Sequence, residues 1–125
     1  MFTIYHDPGC IFSHACLVVL RYAGTTFEKV NYKKEPFTEK LLKEIIEKLK
    51  IDPIELVEKN HPEWKYMYSK LHLTNEEIIQ VLIENHNLIV RPIVVSGNKA
   101  IIGRPPKNLV NFIKEQKYNH ITNLY

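Results

Sequence analysis

Cys10 is the residue whose type and place could do the most chemistry in this 125-residue chain. It follows the run Phe2-Thr3-Ile4-Tyr5 and the breaker Asp7-Pro8-Gly9, and it opens a helix-like stretch that extends to Ala23. A cysteine at a strand-to-helix junction meets first-turn N–H groups that lack intrahelical partners, at the positive end of the helix dipole. A thiolate there is stabilised, which brings the pKa down from about 8.5 into or below the neutral range. The same N–H groups can hold an oxyanion. One place would then supply both a nucleophile and an anion site. The alternative is a buried core cysteine, a common fate for the residue.

Other residues could serve the same chemistry. His6 precedes Cys10 by four positions and, as an imidazolium, would stabilise the thiolate further; the alternative is a structural or solvent-facing histidine. Ser13 lies about one helical turn beyond Cys10, where its hydroxyl could reach a thiolate or an anion, or have no role at all. Arg91 precedes Pro92 and Arg104 precedes Pro105. Two arginines held by following prolines could present guanidinium forks to a tetrahedral oxyanion, and the alternative is two surface arginines. The second cysteine, Cys16, is six positions after Cys10. On one helix that separation means about 600° of rotation and about 9 Å of rise, outside disulfide geometry. Two thiols with separate jobs are expected.

The elements that must position these residues follow from local pattern. Phe2–Tyr5 reads as a strand, Cys10–Ala23 as a helix ending before Gly24, and Thr26–Tyr32 as a second strand. Strand, helix, strand within about 30 residues is a βαβ unit with parallel strands. Thr38 followed by Leu41, Leu42, Ile45, Ile46 and Leu49 has amphipathic helical spacing. Asp52-Pro53 opens a short helix through Val57, Asn60–Leu71 is a further short helix, and Thr74 with Glu77 forms a capping box for another. Pro92–Val95 and Lys99–Ile102 flank Ser96-Gly97-Asn98 as a β-hairpin, and Pro105 or Pro106 suits the first turn of a last helix. The order βαβ, helices, ββα predicts an α/β, thioredoxin-like mixed sheet with a helical insertion between its two halves. We expect one domain over residues 1–116, the insertion at about 38–86, and a frayed polar tail at 117–125. In this fold class an X-Pro bond at a strand entrance is commonly cis, which predicts a cis Arg91–Pro92 bond with the arginine beside the helix N-terminus.

The totals narrow the function classes. The formal charge of +3 is spread among acids, as in Glu35–Lys50, which argues against a nucleic-acid partner and suits a small anion better than a polyanion. No run approaches the roughly 18–20 apolar residues of a membrane span, and the N-terminus lacks the pattern of a signal peptide. A cytoplasmic protein with neither membrane nor nucleic-acid partner is expected.

The segments Ile4-Tyr5-His6-Asp7-Pro8-Gly9-Cys10, Ile89-Val90-Arg91-Pro92-Ile93-Val94-Val95 and Ile102-Gly103-Arg104-Pro105-Pro106 resemble, in order and spacing, the signature blocks of the ArsC-type, glutaredoxin-coupled arsenate reductases. The resemblance extends from residue 1 to about residue 115. It implies a thiol oxidoreductase in which Cys10 attacks arsenate, His6 and Ser13 assist, and Arg91, set by Pro92, binds the oxyanion with Arg104. Glutathione would resolve the adduct and glutaredoxin would regenerate the enzyme, with no bound cofactor or metal. The chain departs from the family pattern at three places. Glu58 stands before Lys59-Asn60, where an arginine is expected; Ile11-Phe12 replaces small residues; and His14 replaces a more basic residue after Ser13. Each change removes positive charge or adds bulk, unless Glu58 faces solvent and Lys59 or Lys65 supplies the cation. Alternatives are a general thiol oxidoreductase with little arsenate activity, or a non-catalytic regulatory homologue. The regulators of this fold carry a Cys-x-x-Cys switch, and Ser13 occupies its second position.

Overall fold

A computed structural model describes residues 1–123, with side chains described through residue 118. They form four strands and five α-helices: β1 (Phe2–His6), α1 (Ile11–Tyr22), β2 (Phe27–Asn31), α2 (Glu39–Leu49), α3 (Pro62–Met67), α4 (Asn75–Glu84), β3 (Ile93–Ser96), β4 (Lys99–Ile102) and α5 (Lys107–Asn123). Two 3₁₀ turns, Pro53–Leu56 and His86–Leu88, complete the described structure. The chain divides into two compact units, Met1–Asn31 with the segment from Arg91 onward, and Tyr32–Val90.

The first unit holds a mixed sheet in the order β2-β1-β3-β4. β1 runs parallel to β2, with Phe2 opposite Phe27 and His6 opposite Asn31. It runs antiparallel to β3, with Ile4 opposite Val94, and β3 pairs antiparallel with β4 through Gly97, whose φ of 60° suits a tight turn. This is the βαβ…ββα arrangement of a thioredoxin-like domain. The core is a cluster of Ile4, Cys16, Leu17, Leu20, Val94, Leu109, Phe112 and Ile113, so α1 and α5 cover the sheet face that carries Ile4. Strand alternation puts His6 on that same face, one pleat nearer the start of α1.

The second unit is the helical region. Thr38 caps α2 through a 3.1 Å bond from the Leu41 N–H. At α4 the predicted capping box is complete, with Thr74 N–H to Glu77 at 2.9 Å and Glu77 N–H to the Thr74 hydroxyl at 3.2 Å. Leu42, Ile45, Ile46, Ile78, Ile79 and Leu82 are the buried positions of these two helices. The unit is wider than the expected 38–86 insertion because its core takes in residues beyond both ends. Tyr32 stacks on Phe37 at 5.4 Å, and Val57 bridges Ile89, with Val90 N–H bonded to the Leu56 carbonyl at 2.9 Å.

Three expectations about the elements need correction. The segment read as a frayed tail is helical as far as Asn123, and Leu124 and Tyr125 lie outside the described residues. Once Leu109, Phe112 and Ile113 have anchored the helix, each further residue adds one backbone bond for one residue fixed, and polarity does not stop it. Pro105 and Pro106 precede α5 rather than occupy its first turn, and their carbonyls accept the N–H groups of Asn108 and Leu109 at 3.0 Å each. The segment Asn60–Leu71 is helical only over Pro62–Met67, where Pro62 opens the helix and His61 Nδ1 accepts the Glu63 N–H at 3.1 Å.

Candidate active site

The site lies wholly in the first unit and begins where β1 ends. Asp7-Pro8-Gly9 turns the chain, and the turn is fastened at several points. Asp7 Oδ1 accepts the Gly9 N–H at 2.9 Å, the Asp7 carbonyl accepts the Cys10 N–H at 3.0 Å, and the Ser13 hydroxyl oxygen accepts the Asp7 N–H at 3.2 Å. His14 adds an Nε2–H bond to the Pro8 carbonyl at 2.6 Å, which assigns its proton to Nε2 in that bond. Cys10 is the N-cap residue of α1, with extended backbone at φ −101° and ψ 125°, and its side chain makes no capping bond. It is half-buried. The first intrahelical bond runs from His14 N–H to the Cys10 carbonyl, so the N–H groups of Ile11, Phe12 and Ser13 have no intrahelical acceptor.

His6 and Ser13 are both buried. His6 is 6% exposed, and its Nδ1 has no hydrogen-bond partner among the described residues. Burial holds its pKa below the usual 6.5, and the Lys29 charge adds to that; Asp7 opposes it, and His14 adds a smaller lowering. The ring is therefore neutral at neutral pH, and stabilisation of the thiolate by an imidazolium is not available there. Ser13 is fully buried and its oxygen is engaged with the Asp7 backbone, which makes it a staple for the turn before the nucleophile.

Arg91 and Arg104 come together through the ends of the hairpin. Gly103 N–H bonds the Pro92 carbonyl at 2.9 Å, and Arg104 Nη2 donates to the Arg91 carbonyl at 3.4 Å. Arg91–Pro92 is cis, as expected, and Arg104–Pro105 is cis as well. Each guanidinium also meets the Cys10 segment. Arg91 Nη1 pairs with Asp7 Oδ2 at 2.8 Å, the two side chains being 13% and 8% exposed. The Arg104 guanidinium carbon lies 4.9 Å from the centre of the Phe12 ring, within cation–π reach. Asp7 and Phe12 are thus site residues that sequence reading missed. Asp7 read only as part of a turn-forming Asp-Pro-Gly, and Phe12 only as added bulk.

Cys16 is a different kind of thiol. It is 0% exposed, its Sγ donates to the Gly103 carbonyl at 3.3 Å, and burial, with a smaller contribution from Cys10, pushes its pKa up to about 11. Gly103 is there for want of room: a Cβ on it would lie 2.5 Å from Cys16 Sγ and 3.1 Å from Pro92 Cγ. Glu58 and Lys59 belong to the second unit. Glu58 is half-buried, with its N–H bonded to the Leu88 carbonyl at 2.7 Å. Lys59 is exposed and lines a cavity of about 600 Å³ with Asp52, Trp64 and His72. Among the described residues no three His, Cys, Asp or Glu side chains are grouped to hold a metal, and no helix is long and apolar enough to cross a membrane.

The arrangement brings a half-buried thiol, free helix N–H groups and two guanidinium groups to one turn. Comparison with known proteins agrees with it. Residues 49–112, which are 64 of the 125, match the ArsC family. An arsenate reductase of Haemophilus influenzae is 32% identical over 115 residues, covering 88% of this chain and 97% of that one. The uncharacterized protein YfgD of Escherichia coli K12 is 32% identical over 112 residues, covering 88% and 94%. A solved structure of a candidate arsenate reductase from Yersinia pestis superposes with a TM-score of 0.83 at 34% identity, covering 89% of this chain and 99% of its own. From its fold, its paired arginine segments and these likenesses, the chain belongs to the ArsC family.

Proposed function

We propose that this protein is a thiol-dependent oxidoreductase that reduces arsenate to arsenite through a covalent Cys10 adduct. The observation that carries the reading is Cys10 at the N-terminus of α1, flanked by Asp7, which pairs with Arg91, and by Phe12, which lies against Arg104. Reductases among its relatives supply the substrate class. Cys10 as the thiolate attacks arsenic, and one arsenate oxygen leaves as water once protonated. The unpaired N–H groups of the first turn and the guanidinium groups of Arg91 and Arg104 hold the remaining oxygens. His6 ends β1 as a neutral buried ring, Ser13 holds the turn, and Pro92 fixes Arg91.

Reduction of arsenic from the pentavalent to the trivalent state takes two electrons, which two thiols supply when they join as a disulfide. Cys16 is buried behind the Gly103 carbonyl and is no source for the second thiol. An external thiol must resolve the adduct, and glutathione with glutaredoxin is the pair we assign. No bound cofactor or metal takes part, and a cytoplasmic setting supplies the reductant.

A second reading is a general thiol oxidoreductase with little arsenate activity. It is favoured by Asp7, which already meets the Arg91 charge, and by Glu58, an acid where the family pattern has a cation. One assay separates the two. Glutathione and glutaredoxin are supplied with arsenate, and in parallel with a generic disulfide substrate. The proposal expects arsenite formation that Cys10→Ser abolishes. Turnover of the disulfide alone would establish the second reading.

A further inference from the structure

Asp7 is the most constrained side chain of the turn before Cys10. Its backbone N–H is held by Ser13, its carbonyl by Cys10, one carboxylate oxygen by the Gly9 N–H at 2.9 Å and the other by Arg91 at 2.8 Å. A turn of this kind needs only an acceptor at Oδ1, which asparagine or serine supplies equally well. The second oxygen, and the negative charge, do something the turn does not require. They meet the guanidinium that lies against the nucleophile segment.

We propose that Asp7 is a specificity-determining residue, an internal counter-ion that claims Arg91 and biases the Cys10 site against doubly charged anions. The inference rests on the reading of Cys10 as nucleophile and Arg91 as an anion-binding group. Around Arg91 and Asp7, whose side chains are 13% and 8% exposed, the charge an incoming anion meets is the local sum of fixed charges. The Asp7 carboxylate, 2.8 Å from Arg91, offsets that guanidinium's charge, and the neutral His6 adds none. A dianion then finds little net attraction. A singly charged oxyanion, which carries protons of its own to donate, is the form the site accepts most readily. The Asp7 bond is made through Nη1, one of the two terminal nitrogens of the guanidinium. The carboxylate thus weakens the charge of Arg91 and leaves its hydrogen-bonding geometry in place.

The test uses two alkylating reagents of nearly the same size, anionic iodoacetate and neutral iodoacetamide. Their rate ratio at Cys10, followed by mass spectrometry at one pH and low salt, reads the field at the sulfur apart from its intrinsic reactivity. Asp7→Asn keeps the Oδ1 acceptor and removes the charge. It should raise the iodoacetate-to-iodoacetamide ratio by about fivefold, and the gain should fade as salt screens it. It should also lower KM for arsenate by about tenfold while kcat changes less than twofold, the pattern of a binding change. Adding Arg91→Ala to Asp7→Asn should erase both gains. Should Asp7→Asn not fold, Asp7→Ser carries the same test. An unchanged ratio in a folded, reactive Asp7 variant would overturn the proposal alone, as would gains that survive the loss of Arg91. A Cys10 inert to both reagents in the native protein would overturn the nucleophile reading, and this inference with it.

Discussion

Cys10 and Cys16 share one helix and differ in what governs a thiol's reactivity. Cys10 is half-buried at the helix start, beside free N–H groups, while Cys16 is sealed in the core with its pKa pushed up to about 11. Thiolates, not thiols, react. Alkylation at pH 6–7, with each cysteine quantified by mass spectrometry, should therefore modify Cys10 alone, and Cys16 should react only on unfolding. Faster modification of Cys16 would reverse the assignment. Cys16→Ser should keep turnover within about twofold, because the serine hydroxyl can still donate to Gly103; a disulfide between residues 10 and 16 trapped during turnover would contradict this. Glu58 carries a prediction that depends on arsenate as substrate. Its place before Lys59-Asn60 matches the family's expected arginine, so Glu58→Arg should raise kcat/KM for arsenate by about tenfold or more. Parallel assays of Glu58→Arg and Lys59→Ala decide which position matters. An inert Glu58→Arg with an inactive Lys59→Ala would mean the cation has moved by one residue.

At the scale of elements, the hairpin β3–β4 is more than the edge of the sheet, since its two ends deliver the arginines. The closure depends on Gly103, which bonds Pro92 through its N–H and accepts from Cys16 through its carbonyl. An added methyl there would meet Cys16 Sγ, so Gly103→Ala should destabilise the fold by about 1–3 kcal/mol, the usual cost of overpacking. Urea unfolding would measure it. The clash has one main partner, and Cys16→Ala removes that sulfur. The double variant Gly103→Ala/Cys16→Ala should then lose clearly less than the sum of the two single losses. Additive losses would show that the methyl meets something else. By contrast, the cap residues Thr38 and Thr74 act locally and bear on the second unit alone.

For the whole molecule, His6 ties stability to pH. Its native pKa lies below 6.5, because a charged ring in the core of the first unit would lose its water. Above about pH 6.5 the ring is neutral in folded and unfolded chains, and it contributes nothing to the pH dependence. Below that value the unfolded chain takes up a proton that the native chain refuses. Stability therefore falls as the pH drops from about 6.5 toward the native pKa, by at most about 1.4 kcal/mol per pH unit for one proton. Below the native pKa the slope from this group vanishes. His6→Gln should flatten the limb between these values in urea melts taken across pH 5–7. An unchanged slope would assign the acid sensitivity to other groups.

The element order was legible in the sequence because its causes are local. Strand alternation, the Thr74–Glu77 capping box, the amphipathic run after Thr38 and Cys10 at the strand-to-helix junction all depend on neighbours within a turn or a pleat. The motif segments around Cys10, Arg91 and Arg104 were legible for the same reason, and they carried the family. Only the tertiary structure decided what those residues are charged against. Asp7 and Arg91 pair across 84 positions of sequence, and Cys16 reaches Gly103 across 87. The protonation of His6 follows from its burial on the same sheet face as Ile4, and Ser13 accepts the Asp7 N–H of the turn it staples. The charge state of His6 and the partners of Arg91 and Cys16 are set by solvent exclusion and by groups that folding brings from far along the chain, and no local pattern encodes them.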